Sequence, residues 1–227
     1  MGNKLNSKLN ISDKEKYPEI DIFKSNCSGK VVSIKHPFYP FQLMSVIQRV
    51  ENQKLYFKVT DNLLSLNVFL GDRLTCSICY EDYDYVFNGI IGNINYEKSK
   101  EIELCISNVN KYKSYSKCKR YIVNFPACLT IYNYNFYSTV KKLSKSSFSI
   151  CCNENIKIGD ELYAEIHVDN EILLQSKAEV VRYTVNDDYN DYEAKFIDIN
   201  FINKIKLQNI MLRLEESESS FVAKALK

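Results

Sequence analysis

The sequence predicts a mostly β protein: two small antiparallel β-barrels of the split-barrel type, joined by a short basic linker and followed by a C-terminal amphipathic helix. Two observations predict the barrels. Short runs rich in β-branched and aromatic residues recur between Gly, Asn and Asp turns, and these runs form two series. A third observation, helical periodicity in one segment near the C-terminus, predicts the helix. Regular spacing of short strands favours barrels over alternating strands and helices.

The N-terminal residues 1–20 are polar and lack periodicity, which predicts a flexible arm. They contain no apolar segment with a cleavage site, and no run in the chain reaches the roughly 18 apolar residues of a membrane helix. Asn6 stands where an N-myristoylation signal requires Ser or Thr. We therefore expect a cytoplasmic protein that does not insert into a membrane.

The first barrel is expected over residues 21–112. Its predicted strands are CSGKVVSI, FQLMSVIQRV, KLYFKVT, RLTCSICY, DYVFNGIIGNI and KEIELCIS. A linker follows near residues 107–119, where apolar periodicity lapses and four lysines cluster: Lys111, Lys113, Lys117 and Lys119. Such a cluster is typical of a solvated connection. It is also a place where phosphate could bind.

The second barrel is expected over residues 113–219, with residues 220–227 as a tail. Its predicted strands are KRYIVNF, ACLTIYNY, YSTVKKL, SFSICC, ELYAEIHV, ILLQSKAEVVRYT and YEAKFIDI. The turn FLGDRL at residues 69–74 matches KIGDEL at residues 157–162, which suggests two barrels of related design. The final helix carries apolar residues at helical spacing: Ile202, Ile205, Leu207, Ile210, Met211 and Leu214.

Charge and cysteine content exclude several classes of function. The 30 basic and 28 acidic residues leave a net charge of +2, which argues against extended nucleic acid as a partner. Eight cysteines include a CxxC at Cys76 and Cys79, but no second pair has matching spacing and the two histidines lie in no ligand pattern. Residues three apart in a strand also point to opposite faces. We expect reduced, mostly buried thiols, and neither a metal nor a cofactor.

An enzyme is not indicated either. The sequence has no Cys–His pair, no Gly-rich phosphate loop and no serine nucleophile motif. Glu81, Asp82 and Asp84 form an acidic cluster that we interpret as a hairpin tip or the solvent face of a strand. Arg182 is interpreted as an outward strand residue without a site role. The 17 tyrosines are scattered among acidic neighbours and fit strand packing better than nucleic-acid stacking.

The order of features in the second half resembles a PilZ domain. A basic stretch leads to a strand that reaches Pro126, followed by the Ser144 turn, the Gly159 turn, VVRY, YEAKFIDI and the final helix. Residues 22–215 together resemble the two-barrel flagellar brake family, which joins an N-terminal PilZN-like barrel to a PilZ barrel. The matching positions in the first barrel are Gly29, Ser45, Ile47, Val50, Leu55, Phe57 and the Gly71 turn.

The resemblance implies cyclic di-GMP as the ligand, held by an RxxxR stretch in the linker and by DxSxxG on a turn. Arginines would bind the phosphates and stack on guanine, and the aspartate would accept from guanine. The corresponding positions here, with the neighbouring Lys119, are Arg120, Asn124, Lys142, Ser144 and Ser147. Three of the motif residues are altered, since Asn124 replaces arginine, Lys142 replaces aspartate and Ser147 replaces glycine. At about 1–3 kcal/mol for each lost contact, we expect weakened or lost nucleotide binding, with cyclic di-GMP kept only as a candidate ligand.

The leading hypothesis is therefore a non-catalytic PilZ-family effector in cyclic di-GMP signalling. It would regulate motility or surface behaviour by contact with a protein partner, such as the flagellar motor or envelope machinery. A nucleotide-independent adaptor is the alternative. An OB-like module that binds single-stranded nucleic acid is the third possibility, and would require affinity that falls steeply with salt.

Overall fold

A computed structural model of the chain describes residues 27–39, 42–64, 67–97, 100–114, 116, 118–169, 172–185 and 190–226. The arm predicted over residues 1–20 and Lys117 of the lysine cluster lie outside these ranges. The described residues form two closed six-stranded antiparallel barrels and a long C-terminal helix. The predicted fold class is confirmed.

The first barrel contains strands β1 to β6 and closes in the order β1-β2-β3-β6-β5-β4. Its large apolar side chains alternate along the strands and point inward, with Phe57 and Phe87 fully buried. A short helix, α1, follows β3 and was not predicted. The bounds are β1 Val31–Lys35, β2 Leu43–Glu51, β3 Lys54–Lys58, α1 Asp61–Leu64, β4 Arg73–Tyr80, β5 Tyr83–Asn95 and β6 Glu101–Lys113.

The second barrel contains strands β7 to β12 and closes in the order β10-β11-β12-β9-β8-β7. β7 continues through Pro126 and so joins two of the predicted strands, KRYIVNF and ACLTIYNY, into one. Proline is tolerated at this position because β10 pairs with β7 only from Ala127 onward. The N–H that proline lacks is therefore not needed for the hydrogen bonds between β7 and β10. The bounds are β7 Tyr121–Ile131, β8 Tyr134–Leu143, β9 Ser147–Cys152, β10 Glu161–His167, β11 Leu173–Val185 and β12 Asn190–Asp198.

The two barrels have the same topology. Counted from its own first strand, each barrel closes in the order 1-2-3-6-5-4. The matched turns also agree in detail: Gly71 has φ +89° and Gly159 has φ +93°. The carboxylates of Asp72 and Asp160 each accept a hydrogen bond from the backbone N–H three residues earlier, at 2.7 and 2.9 Å. The repeated sequence signature therefore marks a repeated turn.

Alanine at either turn glycine is expected to destabilise its barrel by about 1–2 kcal/mol, because an L residue is strained at positive φ. No atom lies within 4 Å of the added Cβ at Gly71 or Gly159, so strain alone sets the cost. Urea unfolding of Gly71→Ala and Gly159→Ala tests this. Ile158→Ala, at an exposed neighbour, is the control. Equal stabilities of glycine variants and control would contradict the prediction.

The C-terminal helix, α2, spans Phe201–Ala225 and continues into the range predicted as a tail. Asn200 caps it by accepting from the Asn203 N–H at 2.9 Å. Leu207, Ile210 and Met211 are buried against the second barrel, as predicted for an amphipathic helix. The predicted apolar face is wrong in its first turns, because Ile202 and Ile205 are exposed. There the side of the helix that faces the barrel is polar: Asn203 is buried and accepts from the Gln175 N–H, and Lys206 donates to the Leu173 carbonyl.

The far end of α2 reaches the linker and the first barrel. Glu218 forms an ion pair of 2.9 Å with Lys119, and Leu226 lies beside Gly29. The helix therefore contacts both barrels and the segment between them. Neither helix in the described part of the chain is long and apolar enough to span a membrane.

All eight cysteines are free thiols. Cys27, Cys76 and Cys152 are buried, whereas the other five are half-buried, so the prediction of mostly buried thiols is correct for three of them. Burial raises the pKa of the Cys27 thiol to about 12. Within the described residues, no group of three or more His, Cys, Asp or Glu side chains could hold a metal ion.

Candidate functional site

An aspartate of the first barrel lies buried among cations of the second. Asp84, near the start of β5, is 2% exposed. Its Oδ1 lies 2.9 Å from Lys142 Nζ, and its Oδ2 lies 2.7 Å from Arg120 Nη1 and 3.0 Å from Arg182 Nη2. One carboxylate therefore ties β5 to β8, to β11 and to the residue that precedes β7.

A β-bulge brings Lys142 to this position. The pairing of β8 with β9 shifts register between Val140 and Lys142. Val140 and Leu143 are both fully buried in the barrel core, although strict alternation would place them on opposite faces. The bulge therefore turns both Lys141 and Lys142 out of the core, toward the first barrel.

Arg182 and Glu193 complete the cluster. They are paired residues of β11 and β12, next to a second bulge between Val180 and Arg182. Arg182 Nη2 lies 3.2 Å from Glu193 Oε2, and Glu193 is 4% exposed. We call Asp84, Arg120, Lys142, Arg182 and Glu193 the Asp84 cluster; its three cations face two carboxylates.

The turn between β8 and β9 is built by serine side chains. Ser144 Oγ accepts from the Ser147 N–H at 2.9 Å and from the Ser146 N–H at 3.2 Å. The hydroxyl thus closes the turn by side-chain hydrogen bonds, a role more often taken by Asn or Asp. Ser116 of the linker lies 3.0 Å from Ser144 Oγ, which holds the linker against the turn.

The charges of the cluster stabilise one another. Burial alone would raise the pKa of Asp84, but Lys142, Arg120 and Arg182 outweigh it and hold that pKa well below its usual range. Burial would lower the pKa of Lys142, yet the adjacent Asp84 carboxylate raises it above its ordinary value. The neighbouring Lys141 has its pKa lowered, chiefly because of burial. At neutral pH the carboxylate of Asp84 and the amine of Lys142 are therefore both charged.

Three cavities are lined by residues of the cluster. The smallest of them, of about 10 Å³, lies inside the cluster and has room for about one water molecule. A crevice of about 110 Å³ between the barrels reaches Asp84, Lys142 and Arg182 from one side. A linker cleft of about 540 Å³ reaches Arg120 from another side, together with Lys119 and the acidic Glu81, Asp82 and Glu218.

Comparison with known proteins identifies the second barrel. The family model of the PilZ domain matches residues 116–213, which include the linker end, all six strands of the second barrel and half of α2. The chain carries a PilZ domain. Together with the first closed barrel, this confirms the prediction of a two-barrel PilZ protein. No curated protein matches the chain in sequence.

Several solved structures are similar to the chain over most of its length. The Bacillus subtilis inhibitor of motility, MotI/DgrA, is 13% identical with a TM-score of 0.42, over 84% of this chain and 98% of that one. YcgR from Escherichia coli in complex with c-di-GMP is 12% identical with a TM-score of 0.47, over 90% and 91%. The K. pneumonia MrkH–c-di-GMP complex is 10% identical with a TM-score of 0.45, over 84% and 89%.

The PilZ domain brings together only part of the predicted ligand set. Arg120, Lys142 and Ser147 line the cavity of the Asp84 cluster. Ser144 lies behind Ser147 with its hydroxyl used in the turn. Each of these positions remains a predicted ligand residue.

The other two predicted residues point elsewhere. Asn124 donates from Nδ2 to the Gln42 carbonyl of the first barrel at 2.9 Å. Lys119 is half exposed and is bound by Glu218 of α2. Asn124 and Lys119 thus bind residues outside the Asp84 cluster, although Lys119 lines the linker cleft together with Arg120.

Two interpretations from the sequence are wrong. Arg182 is not an outward residue without a role, since it binds Asp84 and Glu193 and donates to the Lys113 carbonyl at 3.2 Å. Asp84 does not face solvent, although Glu81 and Asp82 do form the exposed hairpin tip. Asp84 does point out of the first barrel, as alternation predicts, but the PilZ domain covers it.

Proposed function

We propose that the chain is a non-catalytic, cytoplasmic PilZ effector in cyclic di-GMP signalling that acts through contact with a protein partner and binds the nucleotide weakly or not at all. The motility or surface role, with the flagellar motor or envelope machinery as partner, follows from the flagellar brake resemblance. The similar structures of YcgR and MrkH are complexes with c-di-GMP, which supports this nucleotide as the candidate ligand.

One observation is the main support for weakened binding of cyclic di-GMP. Arg120 and Lys142, which the resemblance assigns to the ligand, both bind the Asp84 carboxylate at 2.7 and 2.9 Å. A nucleotide that used these side chains would have to displace a buried carboxylate and break its ion pairs. Because breaking a buried pair costs about 3–5 kcal/mol, the displacement alone would lower affinity by a factor of about 150 to 5,000.

The linker cleft adds a second unfavourable contribution. It is large enough for a small ligand, at about 540 Å³. However, its three carboxylates balance its three cations; the lining charges are Glu81, Asp82, Glu218, Lys30, Lys119 and Arg120. Carboxylates repel the phosphates of a dinucleotide, and Glu218 already neutralises Lys119. The cleft therefore lacks the positive potential that a bis-phosphate ligand requires.

A nucleotide-independent adaptor remains the second candidate, because Asp84 joins the two barrels without any ligand. In such an adaptor the relative position of the barrels is constant and the partner surface is always presented. Thermal melts separate the two candidates. A melting temperature that rises with cyclic di-GMP favours the effector, and one that responds only to a copurifying protein favours the adaptor.

Calorimetric titration of the purified chain with cyclic di-GMP, at physiological salt and up to high micromolar ligand, is expected to give no saturable heat. The positive control is the fourfold variant Asp84→Asn, Asn124→Arg, Lys142→Asp, Ser147→Gly, which removes the competing carboxylate and restores the motif. This variant should bind. Saturation of the unmodified chain at micromolar ligand or below would overturn the weakened binding.

A further inference from the structure

The outer side of α2 carries large apolar side chains that the barrel does not cover. Phe201, Ile205 and Leu212 are 76%, 43% and 59% exposed. At about 3.6 residues per turn they lie on one side of the helix, opposite the buried Asn203 and Ile210. A helix that packs on a single barrel usually has polar residues on its far side. Packing within one chain therefore does not account for this second apolar face.

The spacing of this face is typical of a helix that packs against another helix. Phe201, Ile205, Gln208 and Leu212 follow one another at intervals of four, three and four residues. This is the spacing of the a and d positions in coiled coils. We call these four residues the outer stripe of α2. Beside it, Ile202 is 66% exposed and widens the apolar surface.

Charges beside the outer stripe change sign along α2. Lys204 is exposed in the first half of the helix, whereas Glu215 and Glu216 are exposed in the second. Two parallel copies of α2 would bring like charges together. Two antiparallel copies would bring Lys204 of one copy to the acidic half of the other. The acidic half also argues against an anionic lipid surface as the occupant. The charges of α2 thus complement an antiparallel copy of the same helix.

We propose that α2 is a dimerisation helix, whose outer stripe packs antiparallel on the outer stripe of a second copy of this chain. The contact is isologous, so the same residues serve both copies about a two-fold axis. Each barrel packs on the opposite side of its own α2, so neither barrel lies between the helices. The inference does not rest on the proposed function, because the outer stripe binds no nucleotide.

One register satisfies both size and charge. When Gln208 lies opposite Leu212 of the second copy, Phe201 lies opposite the small Ser219 of that copy, since each pair has the same midpoint along α2. In the same register Lys204 lies within one residue of the position opposite Glu215. A large side chain thus meets a small one, and a cation meets a carboxylate.

Sedimentation equilibrium of the full chain, from low to high micromolar protein, tests the dimer. The contact comprises one face of one helix, which is smaller than the roughly 1,600 Å² of a standard interface, so we expect a dissociation constant in the micromolar range. The mean mass should rise with concentration from that of one chain towards that of two. A mass that stays at one chain throughout would overturn the proposal and leave the face to a different partner. A mass that exceeds two chains would overturn the closed pair.

Leu212→Glu should weaken the association at least about tenfold, because it places a carboxylate in the middle of the apolar contact. Ile158→Glu is the matched control, since Ile158 is a similarly exposed apolar residue on a turn of the PilZ barrel, at 66%. The control should associate as the unmodified chain does. Association that survives Leu212→Glu, or that is lost equally in Ile158→Glu, would overturn the proposed contact.

Gln208→Leu should strengthen the association at least about tenfold, because the new leucine would be buried against Leu212 of the second copy. An unchanged dissociation constant in this variant would contradict the packing of the outer stripe. This variant adds an apolar side chain at an exposed position and removes no contact of the core, so a loss of folding does not confuse the result.

A charge exchange tests the antiparallel direction. Lys204→Glu and Glu215→Lys should each weaken the dimer, because each places two like charges together at both ends of the contact. The double variant Lys204→Glu/Glu215→Lys should recover the association of the unmodified chain, since the opposite charges face each other again. A double variant that is weaker than either single variant would overturn the antiparallel register.

Discussion

Lys142→Asp is expected to destabilise the protein by about 3–5 kcal/mol, although it moves the sequence toward the nucleotide-binding motif. The new carboxylate would replace the ammonium that lies 2.9 Å from Asp84 Oδ1. Two carboxylates at this distance in a buried site repel each other, and Asp84 would lose one of its three ion pairs with the PilZ domain. Urea unfolding at pH 7 measures the loss.

Lys145→Asp is the matched control. Lys145 is exposed in the turn that follows β8, and its substitution by aspartate makes the same change of charge. Its substitution should cost less than about 0.5 kcal/mol, as is usual for a surface site. Similar losses in the two variants would show that net charge, and not the contact with Asp84, sets the stability.

The double variant Asp84→Asn/Lys142→Asp should recover at least half of the stability lost in Lys142→Asp. In this variant residue 142 supplies the carboxylate that Arg120 and Arg182 require, and the like-charge contact is gone. Such a recovery would show that the stability lost in Lys142→Asp arises from contacts within the Asp84 cluster. A double variant that is less stable than both single variants would contradict the charge argument, because the two changes would then act independently.

Asp84→Asn by itself has the second largest expected effect, a loss of about 3–5 kcal/mol at pH 7. Native domains are stable by about 5–15 kcal/mol, so the variant should remain folded at 25 °C. The loss arises because the three cations keep their positions without the compensating charge. Guanidinium is unsuitable for this measurement, since its ions screen the contacts; urea unfolding is the suitable experiment.

The pH dependence of the same comparison follows from the lowered pKa of Asp84. A carboxyl group with a folded pKa below its unfolded value, about 3.9 for Asp, contributes stability that is present above the unfolded pKa. That contribution is lost as the pH falls through the unfolded pKa toward the folded one. The difference in stability between the unmodified chain and Asp84→Asn should therefore be constant from pH 7 to about 5 and shrink below about pH 4. A difference that stays constant to pH 3 would show that folding does not lower the pKa of Asp84, and would contradict the stabilisation of its charge by the three cations.

Much of the fold could be predicted from local sequence. Short strands with alternating burial, the two turns at Gly71 and Gly159, and the helical spacing of Leu207 and Met211 are local patterns with direct physical causes. The incorrect predictions about the fold also have physical causes. Pro126 lies inside a strand because of where β10 stops pairing. Ile205 is exposed because it lies on the face of α2 away from the barrel, whereas the polar Asn203 and Lys206 face β11.

Part of the candidate site could also be predicted. Arg120, Lys142 and Ser147 were chosen from the resemblance, and the fold places all three at one cavity. Arg182 was missed because its role depends on a strand of the other barrel. Asp84 was missed because a charged residue between Tyr83 and Tyr85 is indistinguishable, in sequence, from a solvent-facing position.

Two β-barrels, a C-terminal helix and a PilZ-like order of features with an altered ligand motif could all be predicted without a structure. These depend on residues near one another in the chain, for which periodicity and turn chemistry are sufficient. The contacts of the altered residues, in contrast, depend on how the two barrels pack against each other. Lys142 and Asp84 are 58 residues apart in the chain, and Asp84 and Arg182 are 98 apart. Their pairing arises where the outer faces of two barrels meet, and no local pattern records which outward charges will become buried against each other.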